Sequence, residues 1–238
     1  MEKKELNSSE LMLKSVMLSN PGIDKTVLNA FKICDRKFFV KKRPYIDEPV
    51  HVAHGQTISQ PSTIARMLRI LKLEPKLDVL EVGANTGYHA ALAAYLAWPG
   101  SVTTIEIFPD LADMANKNVK SLIKNLSKEE AKKFGKIKIL AGDALNKKNE
   151  IWKKKYDRIY LTAGVDPNQI SKVHGMAWAL LNENGLLLYP TRESWDWGAL
   201  ELWQKKKKLE LVSREKGYSF VPLLREKDLE DLYERYKK

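Results

Sequence analysis

The stretch Gly83-Ala84-Asn85-Thr86-Gly87-Tyr88 follows the apolar run Leu77–Val82 and leads into a helical pattern over Tyr88–Ala97. A strand that passes through glycines into a helix amino terminus leaves backbone N–H groups facing a crevice, which makes a cradle for a cofactor. In the version of this loop that holds a pyrophosphate, a glycine two positions after the first lets the backbone approach the phosphates. Here that position is Asn85, whose side chain takes up the space, so a nicotinamide cofactor is disfavoured. An adenosyl cofactor without phosphates fits better. Glu106 ends the next predicted strand, nineteen residues beyond Gly87, where its two oxygens can accept both ribose hydroxyls. Asp143, in Ala141-Gly142-Asp143-Ala144, ends the third strand, where a carboxylate can accept from an adenine amino group. Three successive strand ends therefore bring a glycine loop, a ribose acceptor and a base acceptor to one edge of a sheet.

The elements that must position these groups are legible from Leu77 onward. Strands are expected at Leu77–Val82, Val102–Ile107, Ile137–Ala141, Tyr156–Thr162 and Gly185–Tyr189, and helices at Tyr88–Ala97, Pro109–Leu126 and Asn168–Leu181. Such alternation predicts an α/β fold with a Rossmann-like, doubly wound and mostly parallel sheet. Beyond Pro190, strands are expected at Ala199–Trp203, Leu209–Ser213 and Tyr218–Leu223, with an antiparallel strand near the C-terminus and a final helix from Glu226 to about Tyr236. Ahead of the core, Leu11, Met12, Val16 and Met17 recur at helical spacing until Asn20-Pro21-Gly22, and a second helix runs from Asp24 to Ile33. Arg43 to Ser62, with Pro44, Pro49 and Pro61, reads as an ordered loop, and Ser62–Leu73 as a helix with Pro61 in its first turn. One domain over 1–238 is expected: N-terminal helices and substrate loop (1–74), cofactor-binding core (75–190), and C-terminal strands and helix (191–238).

Composition narrows the class. The 238 residues include 41 basic and 30 acidic side chains, for a net charge of +11, and 44% are hydrophobic, which excludes a largely disordered chain. The lysines fall in short clusters at 132–133, 147–148, 153–155 and 205–208 with few interleaved aromatics, so they read as solvated turns rather than a stacking surface for single strands. The longest apolar run, Ala90 to Trp98, is far below the ~20 residues that cross a bilayer. The opening MEKKELNSSE lacks the apolar core of a secretory signal, so a cytoplasmic setting is expected. Cys34 is the sole cysteine, and His51, His54, His89 and His174 have no metal-ligand spacing, so neither a disulfide nor a metal is expected. His54 is a candidate for the cleft wall, and Trp195 and Trp197 are expected to pack on a neighbouring element.

Further motifs lie outside the glycine loop. They are Arg36-Lys37-Phe38-Phe39-Val40, Tyr45-Ile46-Asp47, Gly55-Gln56-Thr57-Ile58-Ser59-Gln60-Pro61, Tyr156-Asp157-Arg158-Ile159 and Phe220-Val221-Pro222-Leu223. With Leu80-Glu81-Val82-Gly83 and Gly87-Tyr88 among them, the sequence resembles the protein-L-isoaspartate O-methyltransferase family of S-adenosylmethionine-dependent methyltransferases. The resemblance runs in order from about residue 24 to 224, and the Gly-Gln-Thr-Ile-Ser-x-Pro element is its specific part.

The resemblance implies a methyltransferase sheet, S-adenosyl-L-methionine as cofactor, and methylation of the free carboxylate of L-isoaspartyl residues in damaged proteins and peptides. It implies that Ser59 is the active-site serine that orients the isoaspartyl group. Thr57, Ile58 and Gln60 would flank it, while Thr162 and Ala163 would close the substrate cleft, with backbone groups free to pair with an extended peptide. The cofactor would be lined by Ser62, by Glu81, Gly83, Ala84, Asn85, Gly87, Tyr88 and His89, by Glu106 and Ile107, and by Gly142, Asp143 and Ala144. The sequence departs from the family at Ser62-Thr63, where histidine and methionine are usual, and at Asn85, where glycine is commoner. It departs again at Gly164-Val165-Asp166 and at Leu224, where a threonine near the adenosine is common. The partners implied are isoaspartyl peptides and proteins, acted on by a monomer without membrane or nucleic acid. The competing reading is a related methyltransferase with another acceptor, such as RNA.

Overall fold

The computed structural model describes residues 8–193 and 197–229. Two N-terminal helices, α1 (Ser9–Ser19) and α2 (Lys25–Ile33), lead to a two-stranded ladder of β1 (Val50–His51) and β2 (Thr57–Ile58), and then to α3 (Pro61–Leu71). The core follows as β3 (Asp78–Val82), α4 (Tyr88–Ala97), β4 (Ser101–Glu106), α5 (Pro109–Lys124), a single turn α6 (Lys128–Ala131) and β5 (Ile137–Ala141). It continues with β6 (Tyr156–Leu161), α7 (Ile170–Leu180), β7 (Leu181–Pro190), β8 (Gly198–Lys205) and β9 (Leu209–Tyr218).

Seven strands form one sheet in the order β5-β4-β3-β6-β7-β8-β9. The first five are parallel, and β8 runs antiparallel to both its neighbours. Chain order reverses beside β3, since β4 pairs on one side of it and β6 on the other. That is the switch point where α/β sheets bind ligands, outside the carboxyl ends of the strands.

Packing explains why this end of the sheet is held firmly. Helix α4 is buried on nearly every side, and its run of alanines lets it lie close between sheet and N-terminal helices. Met12, Val16, Phe31, Ile64 and Leu68 of α1 to α3 join the same core as Ala90, Ala93 and Ala97. Helix α7 covers the opposite face through Val173, Met176 and Leu180.

Four expectations are corrected. The stretch 43–62 is not all loop: Val50 pairs with Ile58 and His51 with Thr57, a ladder too short to show a period. Of residues 218–223 only Tyr218 is in a strand. β9 ends at Tyr218, and beyond it Pro222, which has no N–H to give a ladder, makes only an isolated bridge to Gly164. The segment expected to open α7 at Asn168 is a 3₁₀ turn, Pro167–Gln169, closed by an Asp166–Gln169 capping box. Trp197 does not pack on a neighbour but is 64% exposed. Trp195 and most of the expected final helix lie outside the described residues, and residues 226–229 are helical.

Candidate active site

The glycine loop reverses the chain at the end of β3 with left-handed backbone at Gly83 (φ 101°), Asn85 (φ 47°) and Gly87 (φ 84°). A Cβ at Gly83 would collide with the Thr162 hydroxyl, which donates to the Gly83 carbonyl at 2.7 Å. At Gly87 a Cβ would press on Ala115 and Val119 of α5, so this glycine sets helix spacing rather than the cleft surface. A cleft opens above the loop. It is lined by Thr57, Ile58 and Ser59 on one side, by Gly83, Ala84, Asn85, Tyr88 and His89 at its floor, and by Glu106, Ile107, Gly142, Asp143 and Ala144 along the strand ends. Thr162 and Ala163 complete it, with Val221, Pro222, Leu223 and Leu224 as the far wall.

Glu106 is 5% exposed. Its Oε2 accepts the Asn85 N–H at 2.7 Å and its Oε1 the Phe108 N–H at 3.2 Å. Burial raises its pKa above the ordinary carboxylate value, and these backbone N–H groups work the other way. Acceptor capacity remains on both oxygens for a diol. Asp143 is more fully engaged. Its Oδ1 accepts from Leu145 N at 2.8 Å, and its Oδ2 accepts from Arg225 Nε at 2.6 Å and Glu226 N at 3.3 Å. Of a carboxylate's roughly four acceptor positions three are used, leaving one for an adenine amino group.

Ser59 sits in a loop held from several directions. Both terminal nitrogens of Arg36, a fully buried residue, donate to the Ser59 carbonyl at 3.1 Å, while its guanidinium lies 5.2 Å from the Tyr88 ring. Asp47 accepts from the Gln60 side chain at 3.3 Å and from Ser62 N at 2.8 Å. Asn20 donates to the Ser62 carbonyl at 3.0 Å. At the hairpin tip, His54 stacks on Phe108 with ring centroids 4.4 Å apart and meets Asp110 at 2.7 Å, fastening the loop to α5. Among the described residues the Ser59 hydroxyl has no protein partner, so it is available to a ligand.

Some expected site residues stand apart from the cleft. Gln60 and Ser62 turn toward a separate depression beside Asn20 and Arg66, because Asp47 pins them there. Glu81 is wholly buried beneath the floor, where Tyr160 donates to it at 3.1 Å and His89 Nδ1 lies 3.7 Å away, beyond hydrogen-bond reach. That spacing resembles an ion pair, yet burial pushes Glu81 up to about 8 and His89 down to about 3, so at neutral pH both are mainly uncharged. At 162–165 three of the backbone donors are already engaged within the chain. Thr162 N already donates to Val82 O, Gly164 N to Val221 O, and Val165 N to Pro190 O.

Arg36, which stands in a motif that assigns it no role, and Arg225, which stands in none, act on partners 23 and 82 residues away. Among the described residues no group of His, Cys, Asp and Glu could hold a metal.

The unpartnered polar atoms in and under the cleft suit an adenosyl cofactor. Asn85 Oδ1 and both His89 ring nitrogens are buried without partners, in a mostly apolar cleft with a carboxylate at the diol position and no cluster of basic side chains for phosphates. Sheet order, glycine loop and strand-end carboxylates together define an S-adenosylmethionine-dependent methyltransferase of the class I type. The chain matches the family model described as Protein-L-isoaspartate(D-aspartate) O-methyltransferase over residues 7–228. It is 35% identical over 226 residues to the protein-L-isoaspartate O-methyltransferase of Pyrococcus horikoshii, covering 88% of this chain and 90% of that one. The Methanopyrus kandleri protein of the same name is 35% identical over 196 residues, covering 81% and 78%. Among solved structures, a protein-L-isoaspartate O-methyltransferase from Plasmodium falciparum in complex with S-adenosyl-L-homocysteine superposes with a TM-score of 0.77 at 27% identity, covering 92% of this chain and 99% of that one. The chain belongs to the protein-L-isoaspartate O-methyltransferase family.

Proposed function

We propose that this protein transfers a methyl group from S-adenosyl-L-methionine to the free carboxylate of L-isoaspartyl residues in damaged proteins and peptides. The observation that carries the reading is that the Ser59 loop and the glycine loop face each other across one cleft, with Glu106 at its rim. When bound, the cofactor supplies an electrophilic methyl on a sulfonium. Glu106 would accept from the ribose hydroxyls, and Asp143 would offer its remaining acceptor position to the adenine.

Ser59 donates its hydroxyl to the acceptor carboxylate and sets its direction. No general base is needed, because a carboxyl group with a reference pKa near ~4 is already ionised at pH 7. Val221 to Leu224 shield the cleft from water, so the chain's contribution is alignment and desolvation.

On this reading the partners are isoaspartyl peptides and proteins, and the chain works as a cytoplasmic monomer without nucleic acid. Among the described residues no helix is long and apolar enough to cross a membrane. The test is transfer from methyl-labelled cofactor to an isoaspartyl peptide and to its aspartyl twin. Label on the isoaspartyl peptide alone, released by mild alkali as an ester is, supports the proposal. Equal labelling of both, or an alkali-stable product, contradicts it.

A further inference from the structure

Asn85 touches both halves of the cleft. Its backbone N–H donates to Glu106 Oε2 at 2.7 Å, and its side-chain Nδ2 donates to the Thr57 carbonyl at 3.2 Å. Thr57 lies 28 residues away in sequence and two positions before Ser59. The backbone of Asn85 is left-handed at φ 47°, a conformation that glycine adopts freely and asparagine at some cost. Its Oδ1 is buried without a partner. Both features are unfavourable for a residue that only fills space, and the bond to Thr57 is what the side chain gains in exchange.

Arg36, Asp47 and Asn20 hold the Ser59 loop from the N-terminal part of the chain, and His54 fastens its hairpin tip to Phe108 and Asp110. Asn85 reaches it from the cofactor side. We propose that Asn85 couples the two substrates: a ligand on Glu106 fixes the Asn85 backbone, and the fixed side chain sets Thr57 to Ser59 against the acceptor. The inference rests on the function proposed above. Linkage then requires that each substrate tighten the binding of the other by one common factor.

The experiment uses the full chain, an isoaspartyl peptide, and S-adenosyl-L-homocysteine as the non-reacting occupant of the cofactor end. Calorimetry gives the peptide Kd with and without that occupant for the wild type, Asn85→Gly and Asn85→Asp. Glycine accepts the left-handed backbone, aspartate keeps the shape but has no donor, and circular dichroism checks that each variant folds. In the wild type the occupant tightens peptide binding about three- to tenfold, as one hydrogen bond can. In both variants the factor falls to about one, so either folded variant decides the matter. A wild-type factor of one, or an unchanged factor in a folded variant, overturns the coupling while leaving methylation of the peptide in place. Failure of the wild type to methylate the peptide removes the proposed function, and the coupling with it.

Discussion

Replacing Arg36 with methionine takes away two hydrogen bonds to the Ser59 carbonyl while keeping an apolar stem of similar length. Hydrogen bonds from a charged group contribute about 1.5–3 kcal/mol, and because both converge on one oxygen they are counted here once. Loss of the cation beside Tyr88, 5.2 Å from the ring, adds roughly 0.5–1 kcal/mol. Relief acts in the other direction, since burial of the guanidinium is unfavourable enough to lower its pKa. The net loss is about 2–3 kcal/mol, which lowers the melting temperature by roughly 4–12 °C in a chain of this size. The effect on turnover is larger, because a displacement of about 1 Å in a positioned group can cost a hundredfold. For Arg36→Met, kcat/KM toward an isoaspartyl peptide is expected to fall about 10- to 100-fold, and affinity for S-adenosyl-L-homocysteine by less than about threefold. Arg36→Lys, which keeps the charge but loses the fork, should fall between. The reasoning is refuted if cofactor affinity falls as far as turnover, or if turnover is untouched while the protein melts earlier.

Glu106→Gln keeps the size but weakens the ribose acceptor, and should raise the Kd for the cofactor about 10- to 100-fold by calorimetry; an unchanged Kd would mean the diol binds elsewhere. Ser59→Ala should lower kcat for the isoaspartyl peptide more than it weakens cofactor binding, and the reverse ranking in paired kinetic and binding measurements would count against its role. Glu81 has a folded pKa of about 8, above its unfolded value, so its contribution to stability is full below about pH 4.5 and is lost as pH rises to about 8. The loss is at most roughly 5 kcal/mol at 1.36 kcal/mol per pH unit. Urea midpoints of the wild type should therefore drop between about pH 5 and 8 relative to those of Glu81→Gln, and parallel curves would refute the burial argument.

What was legible in the sequence was what local pattern encodes. The alternation from Leu77, the glycine loop and the strand-end carboxylates Glu106 and Asp143 all stand where short-range periodicity and motif spacing put them. The ladder of β1 with β2 was missed because two residues per strand leave no period to read. Tyr218–Leu223 carries aromatic and β-branched residues like a strand, yet Val221 O and Leu223 N bond to Gly164 rather than to a ladder partner. This same pairing engages the backbone of Gly164, next to Thr162 and Ala163. Ser62 and Gln60 followed from motif position alone, and their direction is set by Asp47, a tertiary contact. Arg36 and Arg225 find their partners only once distant segments meet, so the motif around Arg36 marks the residue without its role and nothing local marks Arg225.

The central claim is that one rim of the sheet grips an adenosyl donor with its sulfur end turned toward Ser59. A crystal structure of the protein with S-adenosyl-L-homocysteine and an isoaspartyl peptide tests it most directly. The account predicts both ribose hydroxyls on the Glu106 carboxylate, and the sulfur and the peptide carboxylate on either side of the missing methyl, beside the Ser59 hydroxyl. A nucleoside lodged away from Glu106, or a sulfur pointing away from Ser59, would contradict it.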